Sequence, residues 1–411
     1  MVERAVILED GISDITTLDL TDARTYVDFD PRDIWRRFRA ERPVYRHPAG
    51  ARTPGFWAVC RHADVLACYR DDERFTSERG NVLATLLQGH DSAAGKMLAV
   101  TDGPRHRAIR KLMLKSFSPR VVAHMRERAI RRTHGLLAAA AERDEVDFAL
   151  DVTDHVPINT IGDLMDIPDR DRAQLVEWNT RSLAGYGADH DELEEVMARN
   201  EILMYFSDLA RHRRQYPGDD VITALATGMV DGEPLSEDEI VFNCYSLIFG
   251  GDESSRMASI GAVIALVDHP DQWRALREGT VGIDTAVDEV LRWTTPAMHF
   301  GRRALVDVPL RDSVIKAGDV VTLWNASANF DEEAFDRPEA FDLARTPNRH
   351  VTFGYGPHFC LGAFLGRAHV EGLLTGLRET VSAIEQRGPG RRLYSNFVYG
   401  YTSLPVSLTP A

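Results

Sequence analysis

A single cysteine, Cys360, stands in a short stretch of glycine and aromatic residues at positions 353–362. Gly354, Gly356 and Pro357 predict a tight turn there, because glycine and proline accept backbone geometries that other residues resist. An amphipathic run follows directly, so the cysteine should lie close to the start of a helix. The unpaired N–H groups and the positive dipole end at a helix start favour a thiolate over a thiol. One thiolate can serve as a single axial metal ligand, whereas a structural zinc site needs about four ligands.

A lone cysteine is most often a residue that packs in a core, but the pattern around Cys360 is more specific. Its fixed positions, Phe-x-x-Gly-x-x-x-Cys-x-Gly, resemble the haem-ligand signature of the cytochrome P450 family, in which a cysteine thiolate holds the haem iron. The resemblance implies that Cys360 is the iron ligand of a haem b cofactor. It also implies that Phe353 covers one face of the porphyrin, and that Gly356 and Gly362 let the backbone approach it closely.

A second stretch with chemical side chains lies within a long predicted helix. Ser236 and Glu239 have the spacing of a capping box, in which each side chain bonds the backbone N–H of the other residue. The helix should extend from there to about Val267, because Pro270 cannot continue it. At 1.5 Å per residue it would be roughly 45 Å long, enough to span a protein of this size.

Two glycines, Gly250 and Gly251, interrupt the middle of this helix. Each costs about 1 kcal/mol relative to alanine in a helix interior, so their small size must serve a purpose, such as a planar ligand lying against the backbone. Asp252, Glu253 and Ser254 follow, and polar groups on a core helix need partners. Without a ligand, the pattern would indicate a helix kink with a satisfied polar cluster.

This segment resembles the central helix of cytochromes P450. The resemblance implies that Gly250 and Gly251 border the oxygen pocket and that Glu253 and Ser254 are the acid and alcohol that deliver protons. The family usually carries threonine where this chain has Ser254, which lacks the β-methyl group that restricts rotation about χ1. The neighbouring Asp252 is a second candidate for the proton-delivering carboxylate.

Four basic residues are candidates for contact with the haem propionates. His106 and Arg110 are four residues apart, so they share one face of a predicted helix, although alone this spacing indicates only a solvated basic face. The resemblance implies that His106, Arg110, Arg302 and His350 reach the propionates, and guanidinium groups suit carboxylates well.

A further pair, Glu289 and Arg292, resembles the family's Glu-x-x-Arg motif. The resemblance implies a structural role, in which the pair ties its helix to the chain near residues 337–341.

The substrate pocket is expected to be formed by four segments, 76–97, 180–191, 294–299 and 396–401, which carry few charges. The candidate lining residues are Val82, Leu83, Leu86, Leu87, Leu183, Tyr186, Ala297, Met298, His299, Phe397 and Val398. An apolar pocket with few polar contacts suits a medium or large organic molecule. We therefore predict a bulky secondary metabolite, polyketide or peptide-derived, or its carrier-protein-bound precursor, in preference to a fatty acid or a small terpene.

The fold class follows from the helical periodicity and from the resemblance. Amphipathic segments between about 120 and 214 predict helices, residues 44–60 predict a β-hairpin, and residues 76–97 suggest a long loop. The resemblance implies a mainly α protein with a smaller β-rich portion, the cytochrome P450 fold. Residues 1–29 should be a partly ordered lead-in, and residues 30–411 a single haem-thiolate monooxygenase domain.

Composition excludes several other classes. The chain has 411 residues and a formal net charge of −15, which argues against general nucleic-acid binding. Its N-terminus is acidic where a signal peptide needs an apolar block, and its apolar runs are too short to span a bilayer. We therefore expect a cytoplasmic monomer. Besides Cys360, the cysteines are Cys60, Cys68 and Cys244, and they show no metal-binding spacing.

The resemblance implies a monooxygenase that inserts one oxygen atom from O₂ into an organic substrate by hydroxylation or epoxidation. The sequence contains no reductase pattern, so electrons should come from a separate ferredoxin and ferredoxin reductase. A basic patch could steer an acidic ferredoxin, with Arg110 expected to contact a propionate instead; its members are Arg105, Arg107, Arg110, Lys111, Lys115 and Arg367. Two alternatives are a peroxide-driven peroxygenase and a non-catalytic haem sensor. The acid and alcohol pair argues against both, because neither needs a proton relay.

Overall fold

Helices make up most of the computed structural model, which describes residues 14–50, 53–183 and 192–411. The α-helices of this part of the chain are α1 (Arg24–Asp28), α2 (Pro31–Glu41), α3 (His62–Arg70), α4 (Leu83–Gln88), α5 (Gly103–Leu114), α6 (Pro119–Ala141), α7 (Phe148–Asp151), α8 (Pro157–Leu164), α9 (Asp169–Leu183), α10 (Glu192–Gln215), α11 (Val221–Thr227), α12 (Glu237–Asp268), α13 (Pro270–Arg277), α14 (Ile283–Thr294), α15 (Asn325–Ala328) and α16 (Ala363–Thr380). The predicted class, mainly α with a smaller β-rich portion, is confirmed.

The strands are short and form small sheets. They are β1 (Val44–His47), β2 (Phe56–Val59), β3 (Phe75–Thr76), β4 (Val146–Asp147), β5 (Met229–Val230), β6 (Glu233–Pro234), β7 (His299–Ala304), β8 (Val308–Leu310), β9 (Ser313–Ile315), β10 (Val320–Trp324), β11 (Val381–Gln386), β12 (Arg391–Arg392), β13 (Tyr401–Ser403) and β14 (Pro405–Pro410). The largest sheet has the order β1-β2-β10-β7-β3. Its β1–β2 hairpin confirms the prediction for residues 44–60.

The long helix α12 runs through the packed interior and confirms the predicted boundaries. At its start, the Ser236 side chain accepts a hydrogen bond from the Glu239 N–H, and the Glu239 carboxylate accepts one from the Ser236 N–H at 2.8 Å. The helix ends at Asp268, before Pro270. It contacts α8, α10, α14 and α16, so its buried residues face several neighbours at once.

Helix α14 is attached to the chain that follows it by a fully buried ion pair. Arg292 donates two hydrogen bonds to the Glu289 carboxylate, each of 2.8 Å, and neither side chain has exposed surface. Arg292 also donates to the carbonyl oxygen of Pro338 at 3.0 Å, which confirms the predicted tie to residues 337–341. Arg345, which the sequence analysis did not identify, adds a second cation 3.0 Å from the Glu289 carboxylate.

One prediction for the N-terminal third is corrected. Segment 76–97 is not a continuous loop, because Leu83 and Leu86 lie on one face of the short helix α4 and are buried in a core cluster. Gly301 makes room for this helix, since a side chain there would overlap Leu86. The lead-in is described only from residue 14 onward, and there Leu20 and Tyr26 are almost fully buried in the same cluster.

The Glu289 network predicts a large stability loss when its charge is removed. Glu289→Gln keeps the shape but leaves Arg292 and Arg345 buried without a counter-charge, which should lower the free energy of unfolding by about 3–5 kcal/mol. Urea denaturation followed by circular dichroism measures it. The matched control is Asp33→Asn, which breaks the exposed Asp33–Arg36 pair and should change stability by less than about 1 kcal/mol. Equal losses in the two variants would contradict this account.

Candidate active site

The Cys360 loop has the predicted tight geometry. The Cys360 N–H donates to the carbonyl oxygen of Phe353 at 2.9 Å, which closes the loop. Gly354 and Gly356 both have positive φ angles, of 67° and 70°. A side chain at Gly356 would also lie 2.6 Å from the carbonyl oxygen of Tyr69, so both conformation and space require glycine there. Helix α16 begins at Ala363, directly after the loop.

Cys360 differs from the other cysteines in its exposure. The residue has accessible surface, unlike the other three cysteines, yet the surrounding protein is dense enough that burial raises the pKa of its thiol. A backbone hydrogen bond from Gly362 and the charge of Arg110 act in the opposite direction. The predicted effect of the helix start is therefore present but outweighed by burial. A bound metal ion supplies the positive charge that a buried thiolate needs.

Two glycine positions border open space without contact to other side chains. Gly250 is exposed although Ile248 and Asp252, on either side of it in α12, are buried. A methyl group at Gly250 or at Gly362 would meet no atom within 4 Å. Gly251 differs, because a methyl group there would lie 2.6 Å from the Ile161 side chain. Gly250 thus lies beside a space, whereas Gly251 permits the packing of α8 against α12.

Three predicted propionate contacts carry unused hydrogen-bonding capacity. Arg302 is buried and donates to the carbonyl oxygen of Gly301 at 2.8 Å, and burial lowers its pKa. Burial also lowers the pKa of Arg110. Neither arginine forms an ion pair with a carboxylate in the described part of the chain. The buried Nε2 of His106 has no hydrogen-bond partner there either, and burial, followed by the charges of His358 and Arg110, lowers the pKa of His106 to about 4.

His350 and His358 have different surroundings. The Nε2 of His350 lies 3.3 Å from the Asp288 carboxylate, and its Nδ1 accepts a hydrogen bond from the Thr352 N–H at 3.4 Å, so both ring nitrogens have partners. His358 was not identified from the sequence. Its ring lies 4.3 Å from the His106 ring, and its Nε2 is 2.7 Å from the Asp102 carboxylate. Its position two residues before Cys360 was the available signal.

The acid and alcohol of α12 have separate partners. Ser254 Oγ donates to the carbonyl oxygen of Gly250 at 2.9 Å, one turn back along the same face. Glu253 instead pairs with Arg256 at 3.0 Å. Asp252 is fully buried, and one of its oxygens accepts a hydrogen bond from Asn179 of α9 at 3.1 Å.

Arg256 serves three carboxylates in this cluster. Besides Glu253, it lies 2.7 Å from Asp154 and 4.0 Å from Asp252. Burial raises the pKa of all three acids, that of Asp252 to about 7, and the charge of Arg256 only partly offsets this. One arginine cannot neutralise three carboxylates, so the cluster holds an exchangeable proton near neutral pH. Asp252 and Glu253 were identified from the sequence, whereas Asp154 and Arg256 were not.

Comparison with known proteins decides the family. The family model for cytochrome P450 matches residues 283–379. The chain is 46% identical over 400 residues to cytochrome P450 NovI of Streptomyces niveus, a match that covers 97% of this chain and 98% of that protein.

This chain belongs to the cytochrome P450 family. It is 32% identical over 403 residues to a steroid C26-monooxygenase of Rhodococcus jostii, covering 96% of this chain and 85% of that protein. The crystal structure of P450 OxyD, which is involved in the biosynthesis of vancomycin-type antibiotics, superposes with a TM-score of 0.87 at 32% identity, covering 96% of this chain and all of that one. The fold is therefore the P450 fold, and the protein is a monooxygenase.

The family implies a haem cofactor, and the residues of this P450 fit one. Cys360 has an accessible thiol, Arg110 and Arg302 offer cations without acidic partners among the described residues, and Gly250 and Gly362 leave room for a flat group. Among the described helices, none combines the length and apolar character needed to cross a membrane.

The candidate substrate residues of this P450 fall into three groups. Val82, Leu87 and Ala297 are half-buried and have accessible surface. Phe397 and Val398 are nearly buried and lie against segment 294–299 through a bridge between Val398 and Ala297. Tyr186 lies outside the described residues, as does the side chain of Leu183.

The third group is enclosed in the core. It comprises Leu83, Leu86, Met298 and His299. His299 has no exposed surface and packs between the rings of Trp324 and Phe397, at centroid distances of 4.4 and 5.6 Å. Burial lowers its pKa to about 3, so the imidazole is neutral. In this arrangement His299 is a packing residue and presents no surface to a substrate.

Gly250 and Gly251 of α12 should respond oppositely to replacement by alanine. Gly250→Ala should keep or raise the free energy of unfolding by up to about 1 kcal/mol, because alanine favours a helix and its methyl group meets no protein atom. It should also shift the ferric haem absorption spectrum. Gly251→Ala should destabilise by about 1–3 kcal/mol through overlap with Ile161, and Ile161→Val should relieve part of that loss. Urea denaturation of the haem-loaded variants measures both, and destabilisation by Gly250→Ala would contradict the assignment.

Proposed function

We propose that this P450 hydroxylates or epoxidises a bulky secondary-metabolite intermediate, polyketide or peptide-derived, either free or bound to a carrier protein. The observation that carries this proposal is the similarity over 96% of the chain to OxyD, a P450 of antibiotic biosynthesis. The accessible candidate residues support it, because Val82, Leu87 and Ala297 are all apolar. A second candidate, a steroid-sized molecule, is favoured by the similarity to the steroid C26-monooxygenase.

The proposed cofactor is haem b, held through its iron by Cys360. Arg110, Arg302 and His106 would bind the propionates, since the half-buried Arg110, the buried Arg302 and the unpartnered imidazole nitrogen of His106 gain the acceptors that they lack. His358 is held by the Asp102 carboxylate, and its ring, which lies next to the His106 ring, would help to fix the position of His106. When bound, the haem supplies the activation of O₂ and the insertion of one oxygen atom, while the protein supplies orientation and protons.

The proton machinery consists of the acid cluster and Ser254. Burial raises the pKa of Asp252 and of Glu253, and the charge of Arg256 partly offsets this. The hydroxyl group of Ser254 lies on the same face of α12 as the exposed Gly250. This hydroxyl would deliver a proton to the oxygen pocket. The Ser254 side chain rotates about χ1 more freely than a threonine side chain would. The hydrogen bond to the Gly250 carbonyl oxygen therefore sets the orientation of its hydroxyl group.

The proposed electron donors are a ferredoxin and its reductase. Two of the basic residues that the sequence analysis placed near the docking side are neutralised within the protein, since Arg105 pairs with Glu239 and Arg367 with Asp288. The exposed cations Arg107 and Lys111 of α5, and Lys115 directly after it, remain to steer an acidic partner.

Coupling measurements test the proton machinery. Glu253→Gln and Ser254→Ala should each lower the product formed per NADPH consumed and raise hydrogen peroxide release, because protons reach the oxygen pocket more slowly. Ser254→Thr is the matched control and should retain or improve coupling, since it keeps the hydroxyl and orders it. If both disabling variants couple as well as the wild type, Asp252 becomes the carboxylate to test through Asp252→Asn.

A ligand panel tests the substrate class. The haem-loaded enzyme is titrated with polyketides, peptide-derived compounds, carrier-bound aminoacyl and acyl conjugates, steroids, small terpenes and fatty acids, and the ferric spectrum is recorded. We expect a spin shift, followed by turnover with ferredoxin, reductase and NADPH, only with a bulky metabolite or a carrier conjugate. Turnover with hydrogen peroxide but not with the electron donors would support a peroxygenase. Efficient turnover of a small terpene alone would contradict the proposal.

A further inference from the structure

A second cavity, of about 450 Å³, lies apart from the Cys360 loop. It is bordered by the start of α2, the C-terminal half of α12, the end of α14 and residues 399–401. None of the residues assigned above to the haem or to proton delivery lines it. Its volume is within the range of small-molecule pockets, which is roughly 300–1,000 Å³.

Part of the wall of this cavity is aromatic. Trp293, Phe330, Tyr399 and Tyr401 line it, together with aliphatic groups such as that of Ile264. The rings of Trp293 and Phe330 lie next to each other, with centroids 5.5 Å apart. Such surfaces favour a flat apolar body, because aromatic rings stack on them and remove apolar area from water.

The cavity also contains one cation with unused donors. Arg392 lies over the rings of Tyr399 and Tyr401, at 5.4 and 5.7 Å, and its one protein hydrogen bond is a 3.4 Å contact to the carbonyl oxygen of Tyr26. It forms no ion pair within the described ranges 14–50, 53–183 and 192–411. The other arginine, Arg32, is already neutralised by Asp30 at 2.6 Å.

Carboxylates at the rim restrict the charge of a ligand. Asp268 and Glu339 line the cavity and are exposed, whereas Arg392 is partly buried. A third lining carboxylate, Asp30, is paired with Arg32. A single negative charge can be placed against Arg392 inside the rim. A phosphate or polyphosphate would bring further negative charge close to the two acids, and like charges repel.

We propose that this cavity binds a planar aromatic monoanion of the aryl carboxylate class. The carboxylate is bound by the guanidinium of Arg392, whose geometry suits two parallel hydrogen bonds. The ring system lies against the aromatic wall. This site is separate from the proposed function and does not depend on it.

The cavity borders segment 396–401, which was predicted from the sequence to form part of the substrate pocket. Tyr399 and Gly400 line the cavity, whereas Phe397, two residues earlier, packs its ring against His299. The segment is fixed at both ends, since Tyr399 donates to Pro296 at 2.8 Å and Phe397 accepts from the Met298 N–H at 2.9 Å. An occupant of the cavity therefore contacts the same segment that borders the substrate side.

The test uses 2-naphthoate as the probe and the haem-loaded full chain as the protein. The haem side is first saturated with 4-phenylimidazole, which is followed by the haem spectrum, and 2-naphthoate binding is then measured by isothermal titration calorimetry. We expect one equivalent to bind under these conditions. The neutral 2-naphthamide and the cationic 2-naphthylmethylamine should bind at least tenfold more weakly.

Arg392→Gln should weaken 2-naphthoate binding at least tenfold and leave the haem spectrum unchanged. Arg391→Gln is the matched control, because Arg391 is exposed, bonds Thr402 at 2.9 Å and does not line the cavity. It should bind like the wild type.

Three results would overturn the proposal: no binding of 2-naphthoate at millimolar concentration, loss of binding when 4-phenylimidazole is present, or equal binding by Arg392→Gln and the wild type. The comparison of 2-naphthoate with 2-naphthamide on the wild-type protein decides the charge requirement even if a variant does not fold.

Discussion

The buried carboxylate of Glu289 attaches helix α14 to the segments that lead to the Cys360 loop. It binds Arg292 and Arg345, and Arg292 extends the network to the carbonyl oxygens of Asn329, Pro338 and Ala340. A buried charge costs several kcal/mol in lost hydration, and only complete hydrogen bonding offsets that cost. The network is therefore favourable only when all its members are in place, which makes the attachment of α14 cooperative.

The same network leads to the Cys360 loop. Asn329 accepts a hydrogen bond from the Val351 N–H at 2.7 Å and donates to Thr352, which in turn donates to Leu291 of α14. Phe353 follows and closes the loop around Cys360 through its carbonyl oxygen. The position of the cysteine thus depends on a continuous series of hydrogen bonds that begins in α14, outside the site itself.

Two groups of arginines can be distinguished, those that bond protein carboxylates and those that lack a carboxylate partner among the described residues. Arg292 has used its donors on protein acceptors, and its fully buried environment contains nothing that an external ligand could reach. Arg110, Arg302 and Arg392 lack carboxylate partners in the described residues although each is partly or fully buried. A cation that is removed from water without a counter-ion is costly, so these positions are where an anionic group gains most. The first two lie near the Cys360 loop, and the third marks the separate aromatic cavity.

Sequence alone determined the local features of this protein: the capping box of α12, the turn around Cys360, the β1–β2 hairpin and the spacing of Glu289 and Arg292. The interacting residues of each of these features are close together in the chain, so the local sequence pattern is sufficient to predict it. The resemblance to the P450 family supplied the candidate roles of the remaining residues.

Tertiary structure decided what depends on distant partners. It buried Leu20 and Tyr26 and one face of α4, and it enclosed His299 between rings from β10 and the C-terminal segment. It also placed Asp154 beside Arg256 and Asp102 beside His358. It also decided which arginines keep unused donors. Burial and the energy of an ion depend on everything packed around a group, and residues far apart in the chain supply most of that surrounding.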